Sequence, residues 1–181
     1  RLVGSEMCIR DSDNTIKVNE MMETTKEHVY AAGDVTGGYQ LTPVARMEGI
    51  TAARNMANYP NKVVYHAIPQ TLSLNTEVSF VEDEKNNCSE EDKVDIGIPG
   101  IAGPGAFWKI LSGDTGYTKI SFDKKQNKIK KINSISPSSV SDVAYLSYLM
   151  RINSPLDEYG DFLEIHPSTD ANYKIIKSMW L

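Results

Sequence analysis

Apolar and polar residues follow two different patterns along this chain, and the change falls near Pro60. In the first part, the segment His28–Ala32 has small and apolar residues that predict a strand buried on both faces, and a loop with two adjacent glycines follows it. Thr42 and Pro43 have the residue types preferred at a helix N-terminus, so we predict a helix from there to about Asn58. Strand, glycine-containing loop and helix in this order are typical of an α/β domain.

The second part of the chain predicts an antiparallel sheet with flanking helices. Segments in which apolar and polar residues alternate predict strands, and a polar run between two of them predicts a hairpin turn. We therefore predict an α+β fold, in which the end of an α/β domain precedes a domain of antiparallel sheet and helices. The predicted strands are 16–19, 28–32, 62–65, 72–81, 107–111, 118–122 and 129–135, with an irregular connection at 95–105 and helices that begin near Thr42, near Ser139 or Ser141, near Ser154 and near Ser168.

Composition and charge exclude several classes of protein. Apolar residues make up 40% of the chain, which is enough for a hydrophobic core, and the net charge of -5 argues against a general nucleic-acid binder. No apolar run is long enough to cross a bilayer, so no membrane partner is predicted. Cys8 and Cys88 are far apart, and the lack of a disulfide framework favours a reducing cytoplasm. We predict no metal site.

The loop after the first predicted strand carries the clearest candidate chemistry. Asp34 ends that strand, and a carboxylate there requires hydrogen-bond donors, which the vicinal hydroxyls of a ribose or ribityl chain would supply. Gly37 and Gly38 allow the backbone to approach a cofactor closely. The helix that starts at Pro43 presents free N–H groups and a partial positive charge. The alternative is that Asp34 caps a turn and the two glycines only relax a loop.

The runs Tyr30–Asp34 and Leu41–Ala45 resemble the second flavin-binding motif of the pyridine nucleotide-disulfide oxidoreductases. That family includes dihydrolipoamide dehydrogenase, glutathione reductase and mercuric reductase. The resemblance implies that Asp34 binds the flavin side chain and that the backbone near Thr42 approaches the flavin ring. It implies FAD in this chain and NAD(P)H in the full-length protein, with the FAD-binding residues Gly33, Asp34, Leu41, Thr42 and Ala45.

The family's glycine fingerprint and redox-active cysteine pair precede this motif, and neither pattern occurs in this sequence. We therefore interpret the chain as a C-terminal fragment that is inactive by itself and does not hold FAD tightly. Residues 1–12 resemble a translated sequencing adapter, with a disordered tail as the alternative. The predicted domains are 13–60, the C-terminal piece of an FAD-binding domain, and 61–181, a dimerisation domain.

The segments 116–119 and 165–168 resemble the interface domain of the same family. The resemblance implies a homodimer through residues 61–181 and a catalytic role for His166 as a proton shuttle. The family's acidic partner lies five residues after this histidine, where this chain has Ala171, and that difference puts the role in doubt. His28, His66 and Cys88 receive structural interpretations.

The predicted function is a flavoprotein enzyme that passes electrons from NAD(P)H through FAD to a small-molecule or protein disulfide. Two alternatives stay open. The segment could serve as a non-catalytic dimerisation or interaction module, or the flavoprotein could reduce an acceptor that is not a disulfide. An upstream cysteine pair would separate the first function from the last.

Overall fold

The computed structural model of the chain describes residues 14–99, 116–161 and 163. The chain divides into two compact units between Tyr65 and His66. No helix in these described ranges is long and apolar enough to cross a membrane. The helices are α1 (Thr42–Met56) and α2 (Ser139–Arg151), the strands are β1 (Gln70–Ser73), β2 (Glu77–Glu82), β3 (Lys93–Pro99), β4 (Tyr117–Asp123) and β5 (Lys128–Ile135), and 3-10 turns cover Asp34–Thr36 and Leu156–Asp161.

The first unit contains turns and single β-bridges where the sequence predicted strands at 16–19 and 28–32, and irregular backbone where it predicted a strand at 62–65. The bridges join Val18 to Thr24 and Glu23 to Tyr30. His28 has a φ of 64°, and a residue in that region cannot begin an extended strand. The predicted strands of this unit were therefore wrong in type, although the segment around Tyr30 is held by a backbone bridge.

Helix α1 begins one residue from the predicted position. Leu41 is the N-cap in extended conformation, so Thr42 is the first helical residue rather than the cap, and Pro43 still lies in the first turn. The buried face of α1 packs beside a small core of Met22, Ala52 and Val63. This face is unusually polar, because its buried residues are Val44, Glu48, Thr51, Ala52 and Asn55.

The second unit is built on a five-stranded antiparallel sheet with the strand order β1-β2-β5-β4-β3. Helix α2 packs against β2 and β5, and its residues Val143, Leu146 and Met150 join the main core. Complete burial of side chains of this size contributes roughly 1.5–3 kcal/mol each to stability. The predicted strands 118–122 and 129–135 match β4 and β5, and the predicted α+β class is confirmed.

Two predictions in this unit were wrong. The predicted strand 72–81 is a hairpin of β1 and β2, because the chain turns at 74–76. The connection predicted at 95–105 begins as strand β3, in which Gly97 pairs with Lys119. A side-chain carbon at Gly97 would lie 1.7 Å from the hydroxyl of Tyr117, so the glycine makes room for that ring. The strand predicted at 107–111 and the helix predicted near Ser168 lie outside the described residues.

Candidate cofactor site

The turn at Gly33 determines where the Asp34 side chain is presented. Gly33 has φ 85° and ψ -162°, a conformation that is essentially restricted to glycine. The amide and the hydroxyl of Thr36 both donate to the carbonyl oxygen of Gly33, each at 2.9 Å. The Gly37 amide donates to the carbonyl oxygen of Asp34 at 3.2 Å. Backbone geometry, rather than a regular strand, therefore fixes the position of Asp34.

The Asp34 carboxylate itself is available to a ligand. The residue is exposed, and none of the residues that the structure describes donates a hydrogen bond to its side chain. The turn around it is closed by the Thr36 hydroxyl and by backbone groups. This geometry does not support the alternative in which the Asp34 side chain caps the turn.

The N-terminus of α1 lies beside the Gly33 turn. A side-chain carbon added at Gly33 would lie 3.5 Å from the Cβ atom of Ala45, so the two halves of the sequence motif are in contact. No side chain within the described ranges caps the helix, and Thr42 and Pro43 are exposed. The N–H groups of a helix's first turn have no partners inside the helix and carry a partial positive charge. An electron-rich group placed here would be stabilised.

Glu48 is a residue of this site that sequence reasoning missed. Its side chain is 2% exposed, and its Oε2 atom accepts the Gly33 amide at 2.7 Å and, more distantly, the Thr36 hydroxyl at 3.4 Å. Its Oε1 atom accepts the Tyr65 hydroxyl at 2.5 Å. The sequence did contain one signal, since Val44, Glu48 and Thr51 follow the spacing of a buried helix face and one of them is a carboxylate.

Tyr65 connects the Glu48 carboxylate to Tyr39, which lies further along the loop that begins at Gly33. Burial raises the pKa of Tyr65 far above its ordinary value, and the hydrogen bond to Glu48 and the nearby charge of Glu48 raise it further. The Tyr65 ring stacks on Tyr39, with ring centroids 6.2 Å apart and an interplanar angle of 24°. Tyr65 is therefore a neutral hydroxyl donor at physiological pH.

The structure brings Gly33 and Asp34 into one turn and places Leu41, Thr42 and Ala45 at the adjacent helix start. Among the described residues, none donates to the exposed Asp34 carboxylate and no side chain caps the start of α1, and these two features fit a cofactor with sugar-type hydroxyls and an electron-rich ring. The assignment of these residues to FAD remains a prediction. His166, the predicted catalytic residue, lies outside the described residues.

Comparisons with known proteins show which family this chain resembles. Residues 3–49 match the pyridine nucleotide-disulphide oxidoreductase family. The match begins inside the segment 1–12, whose interpretation as an adapter stays a prediction. An uncharacterized protein of Methanocaldococcus jannaschii is 34% identical over 160 residues, which are 84% of this chain and 36% of that protein. Dihydrolipoyl dehydrogenase of Bacillus subtilis is 29% identical over 157 residues, which are 84% of this chain and 32% of that enzyme.

A solved structure shows the same fold. The Cu(II) complex of the HOCl-induced flavoprotein disulfide reductase RclA from Escherichia coli superposes with a TM-score of 0.79 and 18% identity, over 94% of this chain and 40% of that one. Residues 3–49 carry the match to the pyridine nucleotide-disulphide oxidoreductase family, whose members are oxidoreductases, and the predicted resemblance to that family is confirmed. The chain spans about a third of the length of these two curated relatives.

Proposed function

We propose that this chain supplies the flavin-side loop of an FAD-dependent oxidoreductase that takes electrons from NAD(P)H and delivers them to a disulfide. The observation that carries the proposal is the Asp34 carboxylate, exposed on a glycine-dependent turn that contacts the start of an uncapped helix. When bound, FAD would supply the two-electron chemistry, because its ring accepts and releases electrons that protein side chains cannot carry.

The residues of the chain then have separate tasks. Asp34 would accept hydrogen bonds from cofactor hydroxyls, and Gly33 adopts the backbone conformation that the Asp34 turn requires. The start of α1, from Leu41 through Thr42, would present its amides to the electron-rich part of the cofactor and stabilise added negative charge, whereas the Ala45 amide already donates to the Leu41 carbonyl oxygen. These tasks all require a fixed loop, which the backbone bonds of the Gly33 turn support.

The test is the substitution Asp34→Asn in the intact protein. Removing the charge while keeping the shape should weaken FAD binding roughly tenfold to a hundredfold, since hydrogen bonds to charged groups contribute about 1.5–3 kcal/mol. Affinity is measured by titrating FAD into the FAD-free protein and following flavin fluorescence. Glu27→Gln is the control, because Glu27 is an exposed carboxylate of the same unit. Equal affinity in Asp34→Asn and the parent protein would refute the assignment.

His166 completes the proposed reaction as a proton shuttle at the acceptor disulfide. A histidine with a near-neutral pKa suits that task, and Pro167 restricts its backbone. The support is the family resemblance of residues 165–168, with Ala171 at the acidic position as the argument for a non-catalytic module. His166→Ala should lower turnover with a disulfide without lowering FAD content. Unchanged turnover would favour the module, and the lack of an upstream cysteine pair would favour a different acceptor.

We also propose that residues 61–181 form a homodimer of a cytoplasmic protein. The outer face of the sheet supports this, because Leu72, Val78, Ile135 and Tyr117 form a continuous cross-strand row. Leu72, Ile135 and Tyr117 are 54%, 43% and 49% exposed. Sedimentation should give a dimer for the parent and a monomer for Ile135→Asp. Ile152→Asp, which changes an exposed isoleucine after α2, should leave the dimer intact.

A further inference from the structure

One buried carboxylate reaches two parts of the proposed cofactor loop, residues 33–41. Glu48 accepts the Gly33 amide, which begins the loop, at 2.7 Å. It also accepts the Tyr65 hydroxyl at 2.5 Å, and the Tyr65 ring stacks on Tyr39, near the end of the loop. We refer to Gly33, Tyr39, Glu48 and Tyr65 as the Glu48 latch.

The loop needs such an attachment. It contains three glycines with positive φ, at Gly33, Gly37 and Gly38, and a glycine-rich segment has many conformations to lose when it orders. Regular structure within it is limited to the 3-10 turn Asp34–Thr36. A loop that is ordered before the cofactor arrives does not lose that freedom on binding, so a preorganised loop binds more tightly.

Because Glu48 is buried, its hydrogen bonds to the loop are costly to break. A carboxylate that is 2% exposed must be satisfied by donors, and the Gly33 amide and Tyr65 hydroxyl supply them. Charge-assisted hydrogen bonds of this kind are short and about twice as strong as neutral ones. If Gly33 moved away, the buried Glu48 carboxylate would lose one of its hydrogen-bond donors. This cost in free energy opposes opening of the loop.

We propose that Glu48 and Tyr65 are positioning residues for FAD: they hold the Gly33 turn and Tyr39 so that Asp34 is preset for the cofactor without either residue reacting with it. This inference rests on the proposed function, because it names the residues that prepare the same site. It adds buried Glu48 on α1 and the more exposed Tyr65 to the residues of the sequence motif.

The test uses three variants of the intact protein with FAD removed. Glu48→Ala removes the acceptor, Glu48→Gln keeps an acceptor oxygen without the charge, and Tyr65→Phe removes only the hydroxyl while keeping the stacked ring. Tyr59→Phe is the control for hydroxyl loss, since Tyr59 is 72% exposed in the same unit. Glu27→Ala is the control for carboxylate loss, on an exposed side chain.

Two quantities are measured well below the melting temperature of every variant. Hydrogen exchange of the amides of residues 33–41 in FAD-free protein reports on the loop directly. FAD affinity by fluorescence titration should fall on the order of tenfold to a hundredfold in Glu48→Ala and by roughly threefold to tenfold in Tyr65→Phe, with Glu48→Gln recovering part of the loss. The controls should match the parent in both measurements.

The outcomes separate this inference from the proposed function. Faster exchange at 33–41 together with weaker FAD binding in both Glu48→Ala and Tyr65→Phe supports the latch. Normal FAD affinity in Tyr65→Phe overturns the proposed pair even if Glu48→Ala fails to fold. If the parent protein binds no FAD, the proposed function is overturned and the positioning role with it. If the parent binds FAD and every variant binds it equally tightly, only the latch is overturned.

Discussion

At the scale of single residues, the Gly33 turn gives the sharpest prediction. Gly33→Ala should lower the free energy of unfolding of the first unit by about 1–3 kcal/mol, because alanine is strained at φ 85° and ψ -162°. Neighbouring atoms are not the reason, since the added carbon would meet only Ala45, at an ordinary 3.5 Å. Gly49→Ala in α1 is the matched control, because a carbon there meets nothing within 4 Å and alanine favours a helix by roughly 1 kcal/mol. Urea denaturation of both variants decides the matter; equal stabilities would show that the turn is not strained.

His66 is a second residue whose importance comes from three-dimensional packing. Sequence reasoning gave it only an undefined structural role, and its fit to the family was poor. In the second unit its Nδ1 atom lies 3.0 Å from the carboxylate of Asp83, its Nε2 atom lies 3.0 Å from the carbonyl oxygen of Met150, and Arg151 donates to its own carbonyl oxygen. The side chains of His66 and Asp83 are 8% and 9% exposed, so the pair lies in the interior.

We expect His66→Ala to lower the free energy of unfolding of the second unit by about 1–3 kcal/mol, because it removes a buried imidazole beside Asp83 and leaves that carboxylate with the Lys85 amide as its remaining donor. His28→Ala should change stability by less than about 0.5 kcal/mol, since the His28 side chain is 86% exposed. Urea denaturation of the two histidine variants measures the contrast. If both variants were as stable as the parent, the His66–Asp83 contact would make no contribution to the free energy of unfolding.

At the scale of elements, sequence periodicity predicted the strands that have a clear local alternation of apolar and polar residues. It missed the elements and contacts that depend on residues distant in the sequence. Strands β4 and β5 alternate clearly, and a polar turn joins them, so they were predicted within a residue or two. Strand β3 was missed because Gly97 and Pro99 both disfavour strands, and only pairing with β4 makes this segment extended. In the site, the Gly33–Asp34 turn was found from its motif. The Glu48–Tyr65 bond joins residues 17 positions apart, and no local pattern marks such a contact.

The pairing of β3 with β4 also predicts a pH dependence. The Lys119 ammonium lies 2.6 Å from the Asp95 carboxylate, and its hydrogen bond, followed by that of Ser121, lowers the pKa of Asp95 below its ordinary value. A lowered pKa in the folded state means that the pair stabilises the sheet above the unfolded pKa of about 3.9 and that this contribution is lost as the pH falls through the folded pKa.

In Lys119→Met we expect the pKa of Asp95 to rise toward the ordinary value and this acid-dependent part of the stability to become smaller, with the contribution of the Ser121 hydrogen bond remaining. Lys124→Met, in the polar turn between β4 and β5, should change neither quantity. The pKa is measured by carboxyl NMR titration, and stability by urea denaturation on both sides of pH 4. An Asp95 titration that is the same in both variants and the parent would contradict the assigned role of Lys119.

At the scale of the whole molecule, the question is how much cofactor binding this chain can support alone. It contains one prepared carboxylate, one helix N-terminus and the Glu48 latch. The sequence has no G-x-G-x-x-G fingerprint, the element that presents backbone amides to a dinucleotide pyrophosphate. The chain would therefore contact the flavin side of FAD but would lack the backbone amides that bind its pyrophosphate.

The 181-residue chain expressed by itself should accordingly bind FAD weakly, with an affinity at least about a thousandfold below that of the intact protein, since the missing contacts include several charge-assisted hydrogen bonds. Equilibrium dialysis against FAD measures the affinity, and circular dichroism establishes that the chain is folded. Free riboflavin is an informative second ligand, because it lacks the pyrophosphate. If the motif binds the flavin side of the cofactor, the chain should bind riboflavin almost as well as FAD. Purification of a yellow chain with one FAD per molecule would instead mean that the Asp34 turn and the α1 N-terminus are sufficient to hold the whole cofactor.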